Sequence, residues 1–327
     1  MFFVAFVTFC FSKPLILKSQ ERSFLNWMRA NNKFFVGEDY HLRLGIWITN
    51  LQYVFSHNKQ SKKTFKLAMN SLSHLTPAEY KALLNNRMSF KKSTIQKEIS
   101  HVHIMDDINN VDLRKEGCVT KVRDCGNCGA DWAFGATTEF ESKIFKETSI
   151  LYEFSESQLI DCMPKSVADG CNSGDFSLAV DYVLKNYHGG MVTREDYPYH
   201  QSKQDCMIDT SKLIGNLYTH ISSNIDQTDD MILAFFVGYY RTVAACAFDA
   251  SHASFQLYSS GIYDEPNCDR TNLNHAGSCV GYGVDDNDVQ YFIIRNCWGT
   301  SWGESGYIRM IRGTNQCGLA NKYDIFN

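Results

Sequence analysis

Apolar and polar positions recur with a helical period over residues 18–58. Asp39, Arg43, Trp47, Asn50, Val54 and Asn58 follow one another at spacings of three and four, so they share one helix face. The pattern predicts an amphipathic helix through the whole segment. Thr76-Pro77-x-Glu79 predicts the start of another short helix, with Thr76 as N-cap, Pro77 in the first turn and Glu79 completing a capping box. A further helix is predicted from Trp132-Ala133-Phe134-Gly135-Ala136 through Glu139, Phe140 and Ile144. Beyond it the chain is Gly-rich, and short apolar runs at 243–248 and 291–294 read as buried strands. Helices first and strands later give an α+β protein. No internal repeat is visible.

A chain of 327 residues can bury a large core in one or two domains. Residues 1–12 are almost wholly apolar and end at Lys13-Pro14. The run is too short to span a bilayer and fits a signal peptide, although a basic n-region is missing. No later stretch reads as a membrane span. Residues 1–100 carry 15 Lys and Arg against 5 Asp and Glu, whereas residues 101–327 carry 17 against 31. A basic N-terminal third facing an acidic remainder favours docking of one on the other. The lysines are scattered rather than massed, which argues against nucleic-acid binding. Twelve cysteines point to an oxidising compartment. No Asn-x-Ser/Thr sequon adds to that reading.

The chemistry centres on Cys128-Gly129-Ala130-Asp131-Trp132. This resembles the nucleophile segment of papain-like (cathepsin L-like) cysteine peptidases, C-G-[SA]-C-[WY], with Asp131 at the position of the reactive thiol. Further blocks carry the resemblance: Leu159-Ile160-Asp161-Cys162, Gly170-Cys171-Asn172-Ser173-Gly174, Asp196-Tyr197-Pro198-Tyr199, Asn274-His275-Ala276, Val280-Gly281-Tyr282-Gly283, Asn296-Cys297-Trp298-Gly299 and Gly306-Tyr307. The repeat from Asp39 to Asn58 resembles the propeptide motif of the same family, and Ala68-x-Asn70-x-Leu72-x-His74 resembles a second propeptide signature in weakened form. The resemblance implies a papain-like two-domain fold, a helical domain plus a β-barrel-like domain, preceded by a helical inhibitory propeptide. The implied division is a signal peptide at 1–12, a propeptide domain at 18–86, a polar and basic processing linker at 87–105 and a peptidase domain at 106–327. It also implies disulfides Cys128–Cys171, Cys162–Cys206 and Cys268–Cys317. Cys10 falls in the signal segment. Cys118, Cys125, Cys246, Cys279 and Cys297 are left over, with Cys246 and Cys279 reading as small buried hydrophobes.

In such peptidases a thiolate attacks the scissile carbonyl, an imidazole exchanges its proton, an Asn amide orients the imidazole, and two donors hold the oxyanion. His275 stands at the base position, 144 residues after Asp131 (275 − 131). Asn296 stands at the orienting position, with Trp298 to shield it. Ser173, Gly174, Ala276 and Trp298 fall at substrate-groove positions. Ser173 narrows the groove, and Gly174 leaves room for peptide backbone. Cys125 stands where the oxyanion Gln belongs, and a thiol is only a weak donor. A carboxylate at 131 is a poor nucleophile toward an amide. Opposite a protonated His275 and at a helix N-terminus, it would nonetheless keep the charges of a thiolate–imidazolium pair.

These residues describe a cathepsin L-like homologue without peptidase activity, which binds peptides, propeptides or protein inhibitors of cysteine peptidases in its groove. Two alternatives stand beside it. One is an active endopeptidase working through Cys125, or less readily Cys297, or through a water mechanism. The other is a scaffold that binds a protein partner elsewhere. Its own propeptide is the first partner. The expectation includes no cofactor, no metal, no nucleic acid and a monomer, delivered through the secretory pathway to the exterior or to lysosome-like vesicles.

Overall fold

The computed structural model describes residues 18–84, 110–224 and 230–327. The expected signal peptide at 1–12 and the expected linker at 87–105 lie outside the described residues, as do the ends of the adjoining ranges at 85–86 and 106–109.

The segment expected as one helix over 18–58 is two, α1 (Lys18–Ala30) and α2 (Gly37–Asn58). The break is local chemistry that a hydrophobic period does not register. Asn32 takes a left-handed φ of 51°, a conformation Asn tolerates better than most residues. The Asn31 side chain donates to Trp27 O at 2.8 Å, and Lys33 N–H donates to Met28 O at 2.9 Å, satisfying the last carbonyls of α1. The chain then folds back, and Phe24 and Trp27 stack together and meet Trp47 in a small aromatic core. On α2, Trp47 and Val54 are buried, Asn50 donates to Ser73 O, and Asn58 brackets Leu67 through its amide.

β1 (Phe65–Leu67) follows, then α3 (Pro77–Leu83), whose N-terminus is the capping box read from the sequence: Thr76 Oγ1 accepts from Glu79 N–H, and Glu79 accepts from Thr76 N–H. β1 pairs antiparallel with β5 (Tyr258–Tyr263), so the N-terminal unit adds a strand to the sheet of the main domain. Trp27 Nε1 donates to Asn70 O, Asn70 Nδ2 donates to Gln256 O, and Gln256 Nε2 donates to Leu72 O, extending that seam.

β2 (Val111–Asp112) opens the main domain. Its helical part is α4 (Asp131–Thr148), α5 (Glu156–Cys162) and α6 (Phe176–Asn186). Then come β3 (His220–Asn224), α7 (Met231–Tyr240), β4 (Ala244–Phe248), the short α8 (Ala253–Gln256), β5, β6 (His275–Val284), β7 (Gln290–Arg295), β8 (Tyr307–Ile311) and β9 (Lys322–Phe326). The strand order is β1-β5-β8-β7-β6-β4-β9-β3, with β2 also on β6. Every pair is antiparallel except β5–β8. β4 is buried at every residue and β6 at all but its last, so both read as continuous apolar or small-residue runs rather than alternating ones. α4 packs its buried face on β6 and β4. Cys128–Cys171, Cys162–Cys206 and Cys268–Cys317 are disulfide-bonded. This is an α+β papain-like architecture with a docked helical propeptide.

Candidate active site

Three elements converge at the buried end of α4. Asp131 is the first residue of α4, His275 the first of β6, and Asn296 follows the last residue of β7. All three are buried. Asp131 Oδ2 lies 2.7 Å from His275 Nδ1 and accepts from Ala276 N–H at 2.8 Å, while Oδ1 accepts from Trp132 N–H at 2.8 Å. The contact between the His275 ring and the carboxylate is close but does not have the geometry of a hydrogen bond. Both carboxylate oxygens are thus engaged. The Trp132 N–H is one of the donors that a helix N-terminus leaves unpaired, which favours an anion there.

His275 is fixed from its other side. Asn296 Oδ1 sits 2.9 Å from Nε2 and also accepts from Cys297 N–H at 2.8 Å. The Trp298 ring lies 4.8 Å from the imidazole centroid at an interplanar angle of 35°, and Phe248 contacts it edge-on. The imidazole is therefore held in orientation by an amide and an indole.

Cys125 is buried. Its sulfur contacts the sulfur of Cys297 at 2.9 Å, and its carbonyl accepts from Tyr199 Oη at 2.8 Å. Burial, then the neighbouring Cys125, pushes the Cys297 thiol well up. Ser173 is buried, and its carbonyl accepts from Asp169 N–H at 2.7 Å. Gly174 has a structural duty unseen in the sequence: a Cβ there would stand 2.2 Å from the Trp132 indole.

Behind the ion pair, a cavity is lined by Asp131, Ala276 and Asn296 together with Arg123, Thr138 and Arg295. Arg123 bridges the buried carboxylates of Glu141 and Glu156, each at 2.6 Å. Burial drives the Glu141 carboxyl upward against the pull of Arg123 and Arg295. Sequence reading passed over this network because its members lie far apart along the chain and in no shared motif.

The propeptide covers the cleft. Tyr80 donates to Ala250 O at 2.6 Å and meets the Trp298 ring edge-on at 5.9 Å. Leu84, just past α3, is extended and buried, and the Leu83 carbonyl comes within 3.9 Å of where a Cβ on Gly129 would lie.

The pattern of the papain family cysteine proteases matches residues 108–325, and that of the cathepsin propeptide inhibitor domain matches residues 24–80. The chain belongs to the papain family. It is 36% identical over 295 residues to cathepsin L1 of Drosophila melanogaster, covering 85% of this chain and 77% of the relative. It is 32% identical over 315 residues to procathepsin L of Felis catus, covering 94% and 92%. Digestive procathepsin L 3 of Tenebrio molitor larval midgut superposes with a TM-score of 0.81 at 27% identity, covering 96% of this chain and 99% of that one. The chain is therefore a cathepsin L-like papain-family homologue that carries its own propeptide domain. Its disulfides and its relatives fit a secretory-pathway protein, and no helix among the described residues is long and apolar enough to cross a membrane.

Proposed function

We propose that this papain-family homologue does not cleave peptide bonds and retains its groove as a binding site for extended peptide, its own propeptide first. The supporting observation is the carboxylate of Asp131, whose oxygens are taken up by Ala276 N–H, Trp132 N–H and the imidazole of His275. In the family's mechanism this position supplies the attacking atom. A carboxylate locked by these partners is a stable counter-ion for His275, and its acyl product would be a mixed anhydride. Cys125 does not substitute for it. It is buried, its sulfur faces Cys297, and its described contacts do not include His275.

Groove binding draws on Leu84, extended just past α3, on Tyr80 against Trp298 and on the orientation of His275, all of which persist without the thiol. Peptides and protein inhibitors that fit cathepsin grooves are the ligand class. We place the mature protein outside the cell or in lysosome-like vesicles, after removal of residues 1–12 and cleavage in 87–105 by another protease.

The test is turnover of a fluorogenic cathepsin L peptide by processed protein from acid to neutral pH, comparing wild type, Asp131→Cys and Asp131→Cys/Cys125→Gln. A silent wild type with activity in the double variant supports the proposal. Wild-type turnover abolished by Cys125→Ser overturns it. Folded variants that are silent and bind no peptidase inhibitor show that the groove itself is lost.

A further inference from the structure

We infer that Cys125 and Cys297 form a fourth disulfide, which staples the segment before α4 to the loop after β7 beside the Asp131–His275 pair. Asp124 and Trp298 face each other in an isolated antiparallel bridge. It is flanked by Cys125 N–H donating to Cys297 O at 2.8 Å and Gly299 N–H donating to Arg123 O at 3.1 Å. One step along an antiparallel pair from 124 and 298 places Cys125 directly opposite Cys297, joined by the single bond from Cys125 N–H to Cys297 O. Directly opposed residues of an antiparallel pair have Cα atoms about 4.5–5.5 Å apart, inside the roughly 4.4–6.8 Å that a disulfide spans.

The side chains agree with the backbone. The two sulfurs lie on the same side of the paired segments, 2.9 Å apart and buried. Among the described residues the other three free thiols are each directed at a carbonyl: Cys118 at Leu113, Cys246 at Gly277 and Cys279 at Gly281. Cys125 and Cys297 instead have each other. Two thiols opposed across a strand pair, in a chain that already carries three disulfides, meet the geometric and chemical requirements for a bond.

The oxidant is a low-molecular-weight or protein disulfide of the secretory compartment, RSSR. One cysteine thiolate attacks it, forms a mixed disulfide and releases RS⁻. The second thiolate attacks the cysteine sulfur of that mixed disulfide and releases the second RS⁻. Two thiols lose two protons and two electrons, and RSSR becomes two RSH. Both sulfurs are buried in the folded protein, so the exchange takes place during folding, alongside formation of the other three bridges. The bond removes the S–H from the position of the oxyanion donor. It also ties the residue that follows Asn296, and with it the partner of His275, to the chain entering α4. The inference stands whether or not the groove binds peptide.

Mass spectrometry of the full chain, expressed in an oxidising compartment, tests it. The protein is denatured in acid, its free thiols are alkylated, and it is digested with trypsin without reduction. No basic residue lies between Arg123 and Lys143, so Cys125 and Cys128 share one peptide. The expected product is an assembly of three peptides, carrying Cys171 and Cys297 on that shared peptide, with Cys118, Cys246 and Cys279 alkylated. In Cys297→Ala the assembly falls to two peptides and Cys125 becomes alkylated. Recovery of Cys125 and Cys297 both alkylated in wild type, while Cys128–Cys171, Cys162–Cys206 and Cys268–Cys317 are recovered intact, overturns the inference. So does any other partner for Cys125. The three other bridges report correct folding in the same digest, and none of these outcomes depends on activity.

Discussion

Asp131 Oδ2 sits 2.7 Å from His275 Nδ1 and accepts the backbone N–H of Ala276 at 2.8 Å, so one carboxylate oxygen joins the start of α4 to the start of β6 twice over. Its partner oxygen accepts from Trp132 N–H. Asp131→Ala therefore strips acceptors from two buried N–H groups and removes the charge facing a buried histidine. A buried donor left without a partner costs about 1–3 kcal/mol. Urea denaturation is expected to show a loss of about 3 kcal/mol for Asp131→Ala. Asp131→Asn, which keeps one acceptor oxygen, should lose less. Equal stability of Asp131→Ala and wild type would show that the carboxylate is not a structural tie.

Arg43 in α2 grips Glu79 in α3 through two hydrogen bonds of 2.6 and 2.7 Å and also donates to the His74 carbonyl. The guanidinium hydrogen bond, opposed by partial burial, holds the Glu79 carboxyl down at about 2. A depressed carboxyl contributes stability above its ordinary range, near 4.5, and loses it as pH falls through the folded value. The contribution is thus present at neutral pH and fades between about 4.5 and 2. Both side chains are partly exposed, so solvent screening keeps the pair at about 1 kcal/mol or less. Arg43→Ala should raise amide hydrogen exchange in α2 and α3 of the full chain at neutral pH, with the difference from wild type shrinking at strongly acid pH. Unchanged exchange in α3 would show that the capping box alone holds that helix.

His74 gives the propeptide a second response to acid. The ring is buried against Trp27 and Phe35, with Lys33 and Arg43 nearby, and burial followed by those charges brings it down to about 4 from an ordinary 6.5. The unfolded segment binds a proton below 6.5, whereas the folded one does so only near 4. The stability that neutral His74 permits is therefore full above 6.5 and lost as pH falls toward 4. Glu79 acts in the same direction at lower pH. Proteolytic release of segment 18–84 should accelerate across this window in wild type. In His74→Gln, whose side chain stays neutral throughout, the rate should be flatter over the same range. A wild-type steepness retained in His74→Gln would assign the acid response to other groups.

Much of this architecture could be read before folding. The capping box at Thr76 and Glu79 is a local motif, and local motifs are written in consecutive residues. The strands β4 and β7 stood out as short apolar runs. The family blocks placed Asp131, His275 and Asn296 in one constellation, and the structure brings these three together within hydrogen-bonding or ion-pair distance. What escaped depends on contacts between distant segments or on backbone conformation. The break at Asn31–Asn32 escaped because a hydrophobic period continues across a reversal as easily as along a helix. Gly174 carries a second constraint that its motif does not announce, since a Cβ there would meet the indole of Trp132. The facing of Cys125 and Cys297 rests on a single bridge between segments 172 residues apart, with nothing in either segment to announce it.

His220 sets the alkaline limit of the main domain. Its Nδ1 lies 2.6 Å from the buried Asp324 and its Nε2 lies 2.9 Å from Asp181. Burial alone would lower its affinity for a proton, but the two carboxylates outweigh that and raise it to about 10. A histidine whose folded value lies above its ordinary 6.5 contributes stability that is complete below 6.5 and lost as pH rises through about 10. Glu139 works in the same sense. It is fully buried against Asp324, and burial followed by that neighbouring carboxylate pushes its carboxyl well up. Stability drawn from its retained proton is complete below 4.5 and declines above it. The domain is therefore expected to be most stable on the acid side of neutrality, which suits the acidic vesicles among its proposed destinations. His220→Gln leaves Asp324 buried without its cationic partner and should cost about 3 kcal/mol near neutral pH. The cost should shrink as pH approaches 10, because wild type itself loses the bridge there. Thermal unfolding of both proteins from acid to alkaline pH measures this directly. A constant gap between the two curves would mean that His220 supports the sheet by packing alone.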